Sequence, residues 1–278
     1  MNDSSAGSPE EAKLLKREGL DSVAGAFGYS GGEQLDKPDL GTRRRIHLRL
    51  TDDSGRPVEW YLKRYGPQPW PVRLRKWLVG AGGVSPAQRE FQNIRRLQAA
   101  GVPTMRAIAF GQEVNLLGVR RSYVVMSAVP GDALERCLAD FLRSCRPAEL
   151  ERFNAALVGL VRGLHGAGIV HRDLYASHIF LDEAADGPQL YLIDLARAFV
   201  PRWRRFRWRV KDLAQLKYSM PAEWVERHWE AFLDGYLAGA ARNRRRWARA
   251  VDRKAASMLR RGRDDHPDKQ QGAAVGRI

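Results

Sequence analysis

Apolar and polar positions alternate with strand period in the first half of the chain and follow a helical period through much of the second. Ile46, Leu48 and Leu50 alternate with Arg45, His47 and Arg49, which predicts a strand. The turn residues Asp53-Ser54-Gly55 follow, and Val58 to Tyr65 reads as the returning strand of a hairpin. Ser85-Pro86-Ala87-Gln88 carries an N-cap serine, a proline at the first helical position and a capping-box glutamine, so a helix starts there. Glu90, Ile94 and Leu97 fall at i, i+4 and i+7, which puts a carboxylate on that helix's apolar stripe. Such a carboxylate needs a cationic partner. Gly101 ends the helix, and Thr104 to Gly111 and Arg121 to Val129 are strand-like.

From Pro147, the spacing of Leu150, Phe153, Leu157, Leu160, Val161 and Leu164 predicts an amphipathic helix closing near Gly166. Two short apolar runs, Ile179 to Leu181 and Leu190 to Ile193, flank Asp186-Gly187 and form a second hairpin signal. Helices are expected over about 211–219, 221–239 and 243–261. Residues 1–20 read as a polar lead-in with a helical turn or more from Glu10, and residues 263–278 as a disordered tail. Strands first and helices later, with no internal repeat, predict an α+β chain of two lobes.

The chemistry concentrates in His171-Arg172-Asp173-Leu174-Tyr175-Ala176-Ser177-His178, between the long helix and the second hairpin, with Asp194 directly after the last strand. This resembles the catalytic loop and metal-binding aspartate of the protein-kinase superfamily. Lys63 near the end of a strand and Glu90 on the next helix complete the order that phosphoryl transfer from a nucleotide requires. The form H-R-D-x-Y-x-x-H, with I-D-L-x-R-A at Ile193 to Ala198 and R-W-R-V-K-D-L at Arg207 to Leu213, is similar to the bacterial lipopolysaccharide kinase family, the Kdo and core heptose kinases. Leu62-Lys63-Arg64-Tyr65 and the run Ser85 to Thr104 resemble it too, so the likeness covers roughly residues 35–240.

The resemblance implies a protein-kinase-like fold with an N-terminal antiparallel sheet and one main helix over residues 21–128, and a mostly helical C-terminal lobe over 129–262. It implies ATP and Mg2+ as cofactors. Lys63 would hold the α- and β-phosphates, Glu90 would hold Lys63, Asp173 would accept the acceptor hydroxyl's proton or orient it, and Asp194 would bind magnesium. His178 stands where most kinases carry a second metal-binding asparagine; it either ligates the metal or contributes a hydrogen bond, imidazole being the poorer magnesium ligand. His171 and Arg172 would brace the loop, and Asp212 would tie down its backbone. No G-x-G-x-x-G or Walker A motif is present, so the phosphate cover falls near Leu40-Gly41-Thr42-Arg43, with Gly41 as its glycine. Tyr61 shares a face with Lys63 where kinases usually place a small residue, implying a differently shaped nucleotide pocket.

Composition adds a partner. The formal charge is +15 over 278 residues. Six basic residues and no acid between Pro201 and Lys211, and ten against Asp252 between Ala241 and Arg263, account for that excess. Arg204, Arg205, Arg207 and Arg209, interleaved with Trp203 and Trp208, suit anionic headgroups or the phosphates of a glycolipid. Trp70, Arg73, Arg75, Lys76 and Trp77 repeat that chemistry. Only 17 residues separate Asp194 from Asp212, too few for a peptide-docking activation segment.

The resemblance implies a phosphorylated, lipid-linked sugar as acceptor, a lipopolysaccharide core heptose or Kdo residue, and with the basic segments it implies a peripheral place on the cytoplasmic face of the inner membrane. A non-catalytic kinase-like module that binds nucleic acid or membrane, and a protein or small-molecule kinase of the same fold, remain the alternatives. Cys137 and Cys145, eight apart, match neither redox nor zinc spacing and fit a reducing compartment. The N-terminus lacks the basic start and apolar stretch of a signal peptide.

Overall fold

The computed structural model describes residues 7–35, 43–67, 84–115, 118–184, 187–238 and 243–265. Two compact units emerge, and they do not divide the sequence in one cut. The first takes the chain through Pro130 together with Tyr191–Ala198; the second takes Gly131–Leu190 and the chain from Phe199 onward.

In the first unit, α1 (Pro9–Arg17) and α2 (Val23–Gly28) precede β1 (Glu33–Gln34), β2 (Arg43–Thr51), β3 (Pro57–Tyr65), α3 (Pro86–Ala99), β4 (Ala107–Asn115) and β5 (Gly118–Ser127). The strands form an antiparallel sheet of order β1-β2-β3-β5-β4. The expected hairpin is β2 and β3, whose register pairs Thr51 with Pro57 and therefore Arg45 with Lys63. Its alternation resolves into two faces. Ile46, Leu48, Trp60 and Leu62 are buried on one of them, in a core shared with Leu14, Leu15, Leu20, Val23 and Ala26.

That core corrects the reading of residues 1–20 as a polar lead-in. Ser8 caps α1 by accepting from the Glu11 amide at 3.2 Å, Pro9 opens it, and the helix buries Leu14 and Leu15. Two leucines among charged neighbours gave too short a stripe for the sequence to reveal the burial. Helix α3 starts as predicted, with Ser85 accepting from the Gln88 amide at 2.9 Å. The reciprocal half of the capping box is missing, since Gln88 Oε1 is buried without a hydrogen-bond partner.

The second unit runs β6 (Asp132–Ala133), α4 (Leu134–Ser144), α5 (Pro147–Gly166), β7 (Ile179–Ala184), β8 (Gly187–Leu192, whose last two residues count with the first unit), α6 (Arg205–Ser219), α7 (Ala222–Leu237) and α8 (Arg244–Asp265). The long helix ends at Gly166 as its periodicity predicts. Helix α4 was not anticipated, although Leu134, Leu138 and Phe141 bury at i, i+4 and i+7. Helix α6 begins six residues before the predicted 211, so the arginine-tryptophan run is its first turns, and α8 continues to Asp265, into the segment expected to be disordered. Gly131 adopts φ +80°, and a Cβ there would lie 1.9 Å from the Leu181 carbonyl oxygen, so only glycine lets the chain enter the β6-β7 pairing. No described helix is long and apolar enough to cross a membrane.

Candidate active site

The predicted residues fall into two groups, one in each unit. In the first unit, Lys63 is 9% exposed and Glu90 fully buried. Lys63 Nζ donates to Glu90 Oε1 at 2.6 Å and to Asp194 Oδ1 at 3.0 Å. The other Glu90 oxygen accepts from the Tyr65 hydroxyl at 2.6 Å, so the glutamate is committed on both sides. Burial works against the Lys63 charge, but the Glu90 and Asp194 carboxylates outweigh it and hold the ammonium above its ordinary range. Burial, reinforced by the Glu90 charge, pushes the Tyr65 phenol well above its own, which keeps it a donor.

Asp194 reaches this cluster because the first unit grips the segment that carries it. Before the aspartate, the Leu192 amide donates to the Pro103 carbonyl at 3.0 Å and Thr104 Oγ1 donates to the Leu192 carbonyl at 2.7 Å. After it, buried Asn93 Nδ2 donates to the carbonyls of Leu195 and Ala198, at 3.2 and 2.8 Å. Between these clamps Asp194 takes a left-handed conformation, φ 56° and ψ 63°, which aspartate tolerates better than most residues. Asn93 lies three residues after Glu90 on α3, so one helix face sets both the lysine's partner and the aspartate's loop. Asn93 and Arg45 escaped the sequence reading; Arg45 Nη2 donates to Asp194 Oδ2 at 2.9 Å. The strand register could have exposed Arg45, as the residue opposite Lys63. Tyr61 stacks on His47, ring centroids 4.8 Å apart and 14° from parallel. Gly41 and the basic residues 73–76 lie outside the described residues.

In the second unit, α6 works as a rack for the His171–His178 loop. Asp212, Gln215 and Ser219 at i, i+3 and i+7 present acceptors on one face. Fully buried Asp212 accepts the amides of His171 and Arg172 at 2.7 and 2.8 Å. Gln215 Oε1 accepts the Leu174 amide at 3.3 Å and Ser219 Oγ the Ala176 amide at 2.8 Å. Lys211 Nζ donates to the Arg172 carbonyl at 2.6 Å. Asp212 thus ties down the loop backbone, as the resemblance implies, and Gln215 and Ser219 extend that task unforeseen.

The loop's side chains are fixed as well. Arg172, at φ 72°, lies against Phe199 and Trp208, 5.6 and 5.5 Å from the ring centroids. His171 stacks on His178 at 5.7 Å. His178 Nδ1 lies 2.7 Å from the Asp173 carbonyl oxygen, so that nitrogen carries the proton and the ring braces the loop. A hydrogen bond of the kind expected of His178 is therefore present at Nδ1. Among the described residues no three His, Cys, Asp or Glu side chains group to hold a metal. One carboxylate completed by nucleotide phosphates and water is nevertheless the usual environment of Mg2+, and half-buried Asp194, with its hard oxygen donors, fits it.

The two basic segments meet on α6 and α8, which pack along their lengths. Phe206 meets Trp247 edge to face at 4.6 Å, and the Arg246 guanidinium lies 4.5 Å from the Phe206 ring centroid. Arg204, Arg205 and Arg207 are exposed, and Trp203 is 81% exposed beside them. Arg209 corrects its predicted place on that surface: it is half-buried and its Nη2 donates to the His165 carbonyl at 2.7 Å. There it neutralises the carboxyl end of α5.

The model of the lipopolysaccharide kinase (Kdo/WaaP) family matches residues 48–236. The chain belongs to that family. Among family relatives, the lipopolysaccharide core heptose(I) kinase WaaP of Pseudomonas aeruginosa is 35% identical over 156 residues, 54% of this chain and 58% of that one. The enzyme of the same description from Escherichia coli K12 is 32% identical over 188 residues, 65% of this chain and 69% of that one. The 3-deoxy-D-manno-octulosonic acid kinase of Haemophilus influenzae is 26% identical over 155 residues, 53% of this chain and 61% of that one. The chain thus spans between about three-fifths and two-thirds of the relatives it matches. A solved structure described as WaaP in complex with acyl carrier protein superposes with a TM-score of 0.66 at 27% identity, covering 92% of this chain and 98% of that one. The Kdo/WaaP family and the protein-kinase-like superfamily read from the motifs are therefore the right ones, and the two-unit α+β architecture agrees with them.

Proposed function

We propose that this protein is an ATP-dependent kinase that phosphorylates a hydroxyl of a lipid-linked sugar, a core heptose of lipopolysaccharide in preference to Kdo. The observation that carries the reading is Lys63, buried between Glu90 and Asp194 at 2.6 and 3.0 Å, in a chain of this family. A buried ammonium with two carboxylates is an expensive arrangement to keep for stability alone. The same arrangement suits a phosphate clamp.

In this reading Lys63, oriented by Glu90, holds the α- and β-phosphates, and Asp194 is the carboxylate for Mg2+. When bound, that ion offsets charge on the transferring phosphoryl group. Asp173, on a loop whose amides are fixed by α6, orients the acceptor hydroxyl and takes its proton. His171, Arg172, His178 and Asp212 are positioning residues. The preference for heptose follows the relatives, whose heptose kinases are 32 and 35% identical against 26% for the Kdo kinase. Arg204, Arg205 and Arg207, with Trp203, provide an anionic-membrane surface, which suits an acceptor displayed on the cytoplasmic side of the inner membrane. A nucleic-acid module is disfavoured, because such a module has no use for the Lys63, Glu90 and Asp194 cluster.

The test is purified protein with Mg-ATP and two glycolipids, one ending at Kdo and one extended by heptose, analysed by mass spectrometry. One added phosphate on the heptose-bearing lipid is expected. Addition to the Kdo-terminated lipid alone reverses the acceptor assignment, and addition to neither removes the proposal.

A further inference from the structure

Arg45 stands directly opposite Lys63 in the β2-β3 register, and opposed residues of an antiparallel pair project from the same face. The two cations share one carboxylate: Lys63 Nζ lies 3.0 Å from Asp194 Oδ1 and Arg45 Nη2 lies 2.9 Å from Asp194 Oδ2. Their other commitments differ. Lys63 is also held by Glu90, and Glu90 by Tyr65, so that half of the cluster is closed. The Arg45 side chain is 31% exposed against 11% for Lys63, and it reaches Asp194 from the open side. Arg43, Arg45 and Lys63 alternate onto this face of the two strands, whereas Arg44 and Arg64, paired in register, project from the other, where Arg64 Nη2 donates to the Tyr29 carbonyl; Asp194 is the one acid among the described residues lining the small concavity there. Three cations on one face beside one carboxylate form a seat for a polyanion. A nucleotide diphosphate brings more charge and more acceptor oxygens than the carboxylate it meets.

We propose that Arg45 is a second nucleotide-phosphate-binding side chain, which leaves Asp194 for the phosphates when nucleotide binds. The inference rests on the kinase reading. It also accounts for the missing glycine-rich motif: a guanidinium fork presents five N–H donors in fixed geometry, which can replace backbone amides as the phosphate clamp. Exchange of Arg45 from Asp194 to phosphate leaves the carboxylate available to a divalent cation. No bond to carbon or phosphorus changes in this step; only ion-pair partners do.

The experiment is calorimetric titration of ADP and of adenosine, in buffer with a metal chelator, into the wild-type chain, R45Q, R45K, D194N and the R45Q/D194N double variant. R45Q is expected to weaken ADP by a factor of about 10 to 100 while leaving adenosine unchanged. R45K, which keeps the charge without the fork, falls between wild type and R45Q and serves if R45Q does not fold. D194N removes the competing carboxylate and is expected to tighten metal-free ADP several-fold. That gain shrinks in the double variant, giving a coupling between the two sites. ADP affinity unchanged in folded R45Q and R45K reduces Arg45 to a brace for Asp194 and overturns the proposal while the kinase reading stands. A folded wild-type chain that binds neither ADP nor adenosine overturns both.

Discussion

The two units hold their functional residues by opposite means. In the first, four ionised side chains, Lys63, Arg45, Glu90 and Asp194, balance one another with direct contacts of 2.6 to 3.0 Å. In the second, the Asp173 loop is held through its backbone, whose amides at 171, 172, 174 and 176 end on three side chains of α6. Ion pairs can change partners when a charged ligand arrives, because the ligand supplies the compensating charge. A buried backbone amide has no such exchange open to it, since leaving it without an acceptor costs the full desolvation penalty. The first unit's network can therefore rearrange around an anionic ligand, whereas the second's holds one loop backbone still.

The sharpest way to break this contrast is to compare the stability cost of cutting each network. Asp212→Ala strands the amides of His171 and Arg172 together with His165, whose Nε2 lies 3.2 Å from the carboxylate. A loss of about 3–5 kcal/mol is expected in chemical denaturation. Arg45→Gln should cost less, about 1 kcal/mol, because the side chain is partly exposed and Lys63 stays on Asp194. A larger loss for Arg45→Gln than for Asp212→Ala makes the exchangeable pair structural and removes the distinction.

Legibility in the sequence followed the same division. Lys63, Glu90 and Asp194 could be named because their order and spacing are motif-like, and Glu90 announced itself as a carboxylate on an apolar stripe. Arg45 could not, since in a run of three arginines only the strand register singles out the one facing Lys63. Asn93 was hidden because its partners are carbonyls about a hundred residues away, which no local pattern encodes. Gln215 and Ser219 carry a faint signal, polar residues at helical spacing from Asp212, which gains meaning once the loop amides are seen to need acceptors. The place of Tyr191–Ala198 has no local signal: the segment begins inside β8 yet is clamped by Pro103, Thr104 and Asn93 of the first unit.

A smaller effect concerns pH. The Lys63 value is raised in the folded chain, so its contribution to stability is complete below its unfolded value near pH 10.4 and declines only as pH rises through the higher folded value. The stability difference between the wild-type chain and Lys63→Met should therefore stay constant from about pH 8 to about pH 10 in a denaturation series. A difference that widens as pH rises within that range indicates a folded value below the unfolded one, so that the Glu90 and Asp194 carboxylates do not hold the ammonium charged.

The division of labour itself is tested most directly by measuring ADP affinity and single-turnover transfer of labelled γ-phosphate to the heptose-bearing glycolipid on the same samples of wild type, Lys63→Ala and Asp173→Ala. The wild-type chain should transfer one phosphate per acceptor. Lys63→Ala should lose nucleotide affinity, whereas Asp173→Ala should bind ADP as the wild type does and transfer at least about a hundredfold more slowly. Transfer by Asp173→Ala at the wild-type rate, or loss of ADP binding by that variant while it remains folded, would contradict the assignment of phosphate binding to one unit and acceptor activation to the other.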